Sequence, residues 1–281
     1  MKEKITFPSL EGFEPTRQTM HWYTQALGVL PRKHAEVQPK WRHISLKLRG
    51  DGLYTEPMKC PEGEKLVGKI DFLGHKIVLL VDGQTFAAFS MAEGLTGREF
   101  GDRLLAATAE LGLSGKYERR RFENDEPRVY DPEKVPAFWQ ALVTSHRIFG
   151  EFKSTLEGEM GPLQFWTHGF DMTFEWFGSR LVEVGEDEQK AEYPAQINLG
   201  FYPGNAADKP YFYSNPWPFE AQYLLSKPLP KGASWHTEGW LGSILPYDEL
   251  VGDPAAEERL REYARVVHET ARPTLQAGFR Y

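Results

Sequence analysis

Residues 165–177 read F-W-T-H-G-F-D-M-T-F-E-W-F, and this stretch predicts two strands joined by a turn. From residue 171 onward, the apolar residues Met172, Phe174 and Trp176 alternate with polar ones. Successive side chains of a β-strand point to opposite faces of the sheet, so these three residues share one face. The stretch therefore predicts a sheet with one apolar face, suited to a core, and one polar face that carries Asp171.

Aromatic residues are concentrated in this stretch and in a second one, Phe201–Phe219, which together hold about a third of the Trp, Tyr and Phe residues. The second stretch contains Y-S-N-P-W-P, whose prolines stiffen the backbone and favour a rigid display of the aromatic side chains. A concave aromatic wall with a few polar groups is typical of small-molecule sites. A densely packed core has the same composition, so both interpretations stay open.

Outside these stretches, strands follow one another in runs, and each run lies between helices. We predict strands or extended segments at residues 44–48, 66–73, 76–81, 85–89, 117–122, 163–167, 171–177, 196–202, 211–214 and 235–245. We predict helices at residues 15–30, 96–111, 132–156 and 254–272. Strands in runs indicate an α+β fold, with antiparallel sheet and helices packed on one face. The order helix, strands, helix occurs twice in a single domain predicted for residues 1–281, so residues 14–122 and 131–272 are candidate halves of a diverged repeat.

Local patterns make some of these predictions specific. Thr96 and Glu99 have the spacing of a capping box, in which each side chain binds the backbone N–H of the other residue. Pro31 is expected to close the first helix, and Pro136 is expected to disturb the start of the long one. One stripe of the long helix is expected to be almost fully buried, and it includes Phe138, Trp139, Leu142 and Phe149. The acidic residues 183–192 predict a loop.

The composition of the chain argues against several classes of partner and location. The chain has 281 residues and a formal net charge of -7, which argues against nucleic acid or an anionic membrane as a partner. Cys60 is the single cysteine, so no intrachain disulfide can form, as is typical of cytoplasmic proteins. The first residues show no apolar segment of signal-peptide length, and the longest apolar run, Ile77–Val81, is too short to span a bilayer. We expect a cytoplasmic protein.

No complete catalytic or nucleotide-binding motif is present in the sequence, and it predicts no particular cofactor. His168 and Asp171, three residues apart in T-H-G-F-D, are candidates for acid–base chemistry, because a carboxylate can orient an imidazole and raise its basicity. The same pair could contribute two metal ligands, with a third from His236 or Glu238. Asp171 could instead accept hydrogen bonds from turn amides while His168 is exposed.

A cleft on the polar side of the sheet is the working hypothesis for a site. His43 alternates with Ile44 and faces away from the apolar side of its predicted strand, so we group it with His168 and Asp171 as candidate catalytic residues. The candidate ligand-binding residues from the aromatic stretches and the N-terminal segments are His21, Trp41, Tyr202, Tyr213, Asn215 and Trp217. From these residues we predict that the protein binds a small molecule, and one form of this hypothesis adds hydrolysis of that molecule. The alternative is a non-catalytic module that binds a ligand, including a glycan, or another protein.

Several short motifs resemble, in their shared order, the bacterial domain-of-unknown-function family 5996. The motifs are T-M-H, W-R-H-I-S-L, Y-D-P-E-K-V-P-A-F-W, G-P-L-Q-F-W-T-H-G-F-D, F-G-S-R, G-F-Y-P-G, Y-F-Y-S-N-P-W-P and I-L-P-Y-D-E-L. They run from about Thr19 to the last helix, which is nearly the whole chain. The resemblance implies a single bacterial, cytoplasmic domain and brings no established activity.

The chain also departs from the family pattern. The family has His at the position of Gln164 and His-Glu at the positions of Ala195 and Gln196, whereas His21, His43 and Asp171 match. The resemblance implies that the family residues form a metal or acid–base cluster on adjacent strands. This chain would then have kept the pocket without the chemistry, or His168, where the family has Gly, would compensate. On this basis we add Gln164 and Gln196 to the candidate ligand-binding residues.

Overall fold

The computed structural model describes residues 6–185 and 190–280, and in them two antiparallel sheets alternate with helices. The first half of the chain contains α1 (Glu14–His34), β1 (Lys47–Arg49), β2 (Gly52–Tyr54), β3 (Met58–Lys59), β4 (Lys65–Asp71), β5 (Lys76–Val81), β6 (Gln84–Ser90) and α2 (Gly97–Glu110). The second half contains α3 (Val135–Lys153), β7 (Gln164–Trp166), β8 (Asp171–Val184), β9 (Ala191–Tyr202), β10 (Tyr211–Trp217), α4 (Ala221–Leu224), β11 (Ser234–His236), β12 (Gly242–Pro246) and α5 (Ala256–Ala271). The predicted α+β class is confirmed.

Each sheet has six strands. The first has the order β1-β2-β4-β5-β6, with β3 also paired to β4, and the second has the order β11-β12-β10-β9-β8-β7. The two sheets meet where the backbones of Leu46 and Phe165 exchange two hydrogen bonds of 2.8 Å. That residues 14–122 and 131–272 are halves of a repeat stays a prediction.

The alternation predicted for β8 is confirmed. Met172, Phe174 and Trp176 are buried on the side covered by α3 and α5, where the ring of Phe149 lies 6.3 Å from that of Phe174 and the ring of His268 lies 4.9 Å from that of Trp176. The opposite side is here called the polar face. By strand register and alternation, it carries Gln164 on β7, Asp171, Thr173 and Glu175 on β8, Gln196, Asn198 and Tyr202 on β9, and Tyr211, Tyr213, Asn215 and Trp217 on β10.

Helix α1 connects the two sheets. Its Tyr23 ring stacks on Phe100 of α2 at a centroid distance of 3.9 Å. At Gly28 it passes so close to the turn after β7 that a Cβ atom there would lie 2.6 Å from Thr167 Oγ1. A glycine at position 28 therefore allows α1 to approach the polar residues of the second sheet.

Several predicted details are wrong, for local reasons. Pro31 lies inside α1, which continues to His34. The proline removes its own N–H from the helix, but its carbonyl accepts from the Ala35 N–H at 3.0 Å, so the last turn still closes. Residues 119–121 form a 3-10 turn rather than a strand, with Arg119 and Arg121 paired to Asp102 and Glu118.

In the long helix, Pro132–Lys134 form a separate 3-10 turn and α3 begins at Val135, which confirms the expected disturbance. Phe138, Leu142 and Phe149 are fully buried as predicted. Trp139 is only partly buried, because it lies at the flank of the stripe, where it packs against Phe72 at 5.3 Å.

The acidic loop predicted at 183–192 is shorter than expected, since β8 extends to Val184 and β9 begins at Ala191. Residues 186–189 of that prediction, and residues 1–5 of the N-terminal segment, lie outside the described residues. Among the helices of the described ranges, none is long and apolar enough to cross a bilayer.

The capping box at the start of α2 is confirmed, and it gives a stability prediction. Thr96 Oγ1 accepts a hydrogen bond from the Glu99 N–H at 3.1 Å, and Glu99 Oε2 accepts one from the Thr96 N–H at 2.9 Å. Thr96→Ala is expected to lower the free energy of unfolding by about 0.5–2 kcal/mol, because one backbone N–H of the first turn loses its acceptor. Urea denaturation measures this change. Thr96→Ser, which keeps the oxygen, is the control, and equal losses in both variants would contradict the capping explanation.

Candidate functional site

The turn between β7 and β8 places Asp171 at one end of the polar face. The Phe170 N–H donates to the Trp166 carbonyl at 2.8 Å, and Phe170 has a left-handed backbone with φ of 54°. Two side chains of α1 bind the turn carbonyls. His21 Nε2 donates to the His168 carbonyl at 3.0 Å, and Arg17 Nη2 approaches the Gly169 carbonyl at 3.5 Å.

The carboxyl group of Asp171 is surrounded by tyrosines and by Arg17. The Tyr213 hydroxyl donates to Asp171 Oδ2 at 2.5 Å. Burial raises the pKa of Asp171 to about 6, against the opposing effects of the Tyr213 hydrogen bond and the charge of Arg17. This carboxyl group can therefore gain or lose a proton near neutral pH.

Arg17 is only 4% exposed. The rings of Phe170 and Tyr202 lie 5.3 and 5.5 Å from its guanidinium carbon. Within the described ranges it makes no ion pair, and its Nε atom has no hydrogen-bond partner. Burial lowers the pKa of His21 to about 4, with a further contribution from the charge of Arg17, so His21 is a neutral donor to the turn.

More aromatic rings lie beside Asp171. The ring of Tyr211 lies 5.1 Å from that of Tyr202. Trp240, from the loop between β11 and β12, lies 6.2 Å from the rings of both Tyr211 and Tyr213. Trp240 thus extends the group of aromatic rings that contains Tyr213, the hydrogen-bond donor to Asp171.

The other end of the polar face contains a cavity of about 380 Å³, here called the Trp217 cavity. It is lined by Lys40, Glu175, Phe177, Val184, Tyr193, Pro194, Gln196 and Trp217. The walls are thus largely apolar or aromatic, and the polar groups among them are an ammonium, a carboxylate and an amide.

A chain of hydrogen bonds orients the carboxylate in this cavity. Gln164 Nε2 donates to Glu175 Oε1 at 3.2 Å, and Gln164 Oε1 accepts from Ser45 Oγ at 2.9 Å and from Lys47 Nζ at 3.3 Å. Burial raises the pKa of Glu175, while the Gln164 bond and the charges of Arg42 and Lys40 act in the opposite direction. Glu175 is therefore a held, partly desolvated carboxyl group.

Lys40 reaches the cavity from an unusual backbone segment. Lys40 and Trp41 both have left-handed backbones, with φ of 57° and 58°, a conformation that non-glycine residues rarely adopt. The Lys40 ammonium lies 2.9 Å from the ring centroid of Phe177 and bonds Glu159 Oε1 at 2.9 Å.

The structure brings some of the predicted site residues together in two groups. Asp171, Tyr202 and Tyr213 form one group, with His21 behind the turn. Gln164, Gln196 and Trp217 form the other. Asn215 lies between the groups on β10, and its Nδ2 donates to the Leu241 carbonyl at 2.5 Å.

Three predicted residues lie apart from these groups. His43 is in a 3-10 segment rather than in a strand, so the predicted alternation does not apply to it; it is buried, and its Nδ1 accepts from the Gln38 N–H at 3.2 Å. His168 is exposed beside Trp166. Trp41 is 61% exposed and lies near Arg32 and His43.

In the described part of the chain neither His43 nor His168 bonds Asp171, whose charged neighbours are Arg17 and Glu175. The catalytic roles of these two histidines and of Asp171 stay predictions. Arg17, Lys40 and Glu175 were not among the predicted residues. Glu175 could have been found, because the alternation of β8 places it on the same face as Asp171.

Across residues 6–185 and 190–280, no three His, Cys, Asp or Glu side chains are grouped so that they could hold a metal ion.

Comparison with known proteins gives one match. The model of DUF5996, described as a family of unknown function, matches residues 7–276. No curated protein and no solved structure matches the chain.

The raised pKa of Asp171 predicts how stability depends on pH. A carboxyl group whose pKa is higher in the folded than in the unfolded state stabilises the fold below its unfolded pKa, and this contribution is lost as the pH rises through its folded value. Relative to Asp171→Asn, the wild type should lose up to about 3 kcal/mol between pH 3.8 and about 6, the ordinary and raised values. Chemical denaturation of both proteins across this range measures the difference. A difference that does not change with pH would show that Asp171 is not desolvated.

Proposed function

We propose that this chain, which belongs to the family DUF5996, binds a small molecule at the polar face of its second sheet. The Trp217 cavity is the observation that carries the proposal. Its volume of about 380 Å³ falls in the range of small-molecule sites, roughly 300–1,000 Å³. Its apolar walls with a few converging polar groups also follow the pattern of such sites.

The polar groups of the cavity are held in place before any ligand arrives. Gln164 fixes Glu175, and Gln164 is itself fixed by Ser45 and Lys47. A group held by such supporting hydrogen bonds loses little conformational entropy when it binds a ligand. This supports recognition of a defined ligand.

The concave shape favours a small molecule over a protein partner, whose standard interface buries about 800 Å² on each side. A sugar ring is one ligand that the walls could accept, since Trp217 and Tyr193 offer flat apolar surfaces and Gln196 and Glu175 offer hydrogen-bonding groups.

Hydrolysis at the Asp171 end is a second candidate function, supported by a different observation. The pKa of Asp171 is raised to about 6. A general base works best when its pKa lies near the pH at which the enzyme operates. The Tyr213 hydroxyl bonds the carboxyl group at 2.5 Å, and the positive charge of Arg17 acts on it. Such a cation could stabilise negative charge that develops on a substrate.

The cavity makes Trp217 the residue to test for ligand binding. In a ligand-observed NMR screen of small aromatic and sugar fragments, we expect fragments that bind the wild type to lose most of their signal with Trp217→Leu, because one wall of the cavity shrinks. Phe86→Ala, which removes an exposed aromatic side chain from the other sheet, is the matched control and should leave binding unchanged. Fragments that bind both variants equally would place the binding site elsewhere.

The hydrolytic candidate has a separate test. Chromogenic p-nitrophenyl esters, phosphates and glycosides are incubated with the purified protein, and we expect one class to be cleaved. Asp171→Asn should then lower kcat/KM by about 100-fold or more, since the carboxyl base is lost, while melting curves show that the variant remains folded. Equal activity in both proteins, or a variant that loses stability rather than activity, would rule out Asp171 as the base.

A further inference from the structure

We infer that the Trp217 cavity recognises an organic cation, namely an ammonium group attached to an apolar or aromatic body. The inference rests on the proposed function, that a small molecule binds in this cavity, and it names the chemical class of that molecule. Three observations carry it: the position of Lys40, the carboxylate of Glu175 in the cavity lining, and the aromatic walls.

The cavity already holds an ammonium group of the chain itself. Lys40 Nζ lies 2.9 Å from the centroid of the Phe177 ring, on the edge of the cavity that both residues line. A cation above an aromatic face is attracted by the ring quadrupole, and the attraction grows when water is removed. Lys40 thus shows which charge this wall stabilises.

The acceptor for a ligand cation is Glu175. Its Oε1 is engaged by Gln164. Its Oε2 lies beside Gly161, and the side chain of Glu175 lines the cavity, so its negative charge acts on a ligand there. Phe177, Tyr193 and Trp217 line the same cavity, and aromatic walls are the usual composition of a site for ammonium ligands.

Lys40 is held weakly enough to be displaced. Its partner Glu159 is 67% exposed, and the Lys40 side chain is itself 36% exposed, so the ion pair between them is of the surface type that contributes little stability. A ligand ammonium can therefore replace the Lys40 ammonium over Phe177 while Lys40 turns toward solvent.

An anionic ligand fits the cavity less well. It would meet the carboxylate of Glu175 and the electron-rich faces of Phe177 and Trp217, which also line the cavity. Arg42 also acts on Glu175 electrostatically but does not line the cavity. The net charge of -7 favours the approach of cations at long range.

Three probes with one aromatic body and different charges test the inference: benzyltrimethylammonium, benzyl alcohol and benzoate. Their binding is measured by saturation-transfer NMR and by titration with the wild type, Lys40→Met and Glu175→Gln. We expect the cation to bind the wild type most tightly. Lys40→Met should bind it about tenfold more tightly, because the competing ammonium is gone, and Glu175→Gln about tenfold more weakly.

The controls separate charge recognition from folding and from binding as such. Lys209→Met removes an exposed lysine paired with Asp248 far along the chain and should leave all three affinities unchanged. Gln at position 175 keeps the shape of the side chain, and melting curves verify that the variant is folded. The opposite signs expected for two folded variants cannot arise from a common loss of structure.

Each other outcome overturns the inference. If benzoate binds most tightly and Lys40→Met weakens it, the cavity is an anion site, and the proposed function stands without this inference. If benzyl alcohol binds as tightly as the cation, the cavity selects shape alone, and again only the inference fails. If no probe binds and the fragment screen also finds no ligand, both the inference and the proposed function fail.

Discussion

Phe170 is fully buried in a left-handed backbone conformation, and the geometry of the polar face depends on it. Its ring lies 5.0 Å from that of Phe165 and 5.7 Å from that of Phe138. The backbone conformation costs roughly 1–2 kcal/mol for a residue with a side chain, whereas burial of a Phe side chain contributes about 1.5–3 kcal/mol. Burial is therefore large enough to hold the turn, and the turn sets the register that places Trp166 opposite Asp171 and Gln164 opposite Thr173.

Because α3 and α5 cover the apolar side of the second sheet, the other side is left to polar and aromatic residues. Two carboxyl groups of β8, Asp171 and Glu175, lie four residues apart on this side, or about 13 Å along the strand. Burial raises the pKa of both. They differ in their neighbours, since Asp171 has a buried arginine and Glu175 has a held amide and a surface lysine. The polar face thus carries two carboxyl groups, one toward each end, in chemically different surroundings.

Sequence patterns that involve only neighbouring residues predicted part of this structure correctly. The alternation in β8 assigned its two faces correctly, because it follows from the geometry of a single strand, and the capping box of Thr96 and Glu99 involves residues only three apart. His43 was misplaced because the alternating pattern around it resembles a strand, while the structure has a 3-10 segment there, kinked by the left-handed backbone of Lys40 and Trp41. Arg17 and Lys40 could not be identified as site residues, since they contact groups more than 100 positions away in the sequence.

The two hydrogen bonds between Leu46 and Phe165 have a consequence for solubility. An outermost strand normally exposes unpaired N–H and C=O groups, which can recruit a strand of another molecule and start aggregation. Here the segment just before β1, which borders the first sheet, pairs with β7, which borders the second. At this bridge each sheet covers part of one edge of the other, so strand addition at this point would first require the two sheets to separate.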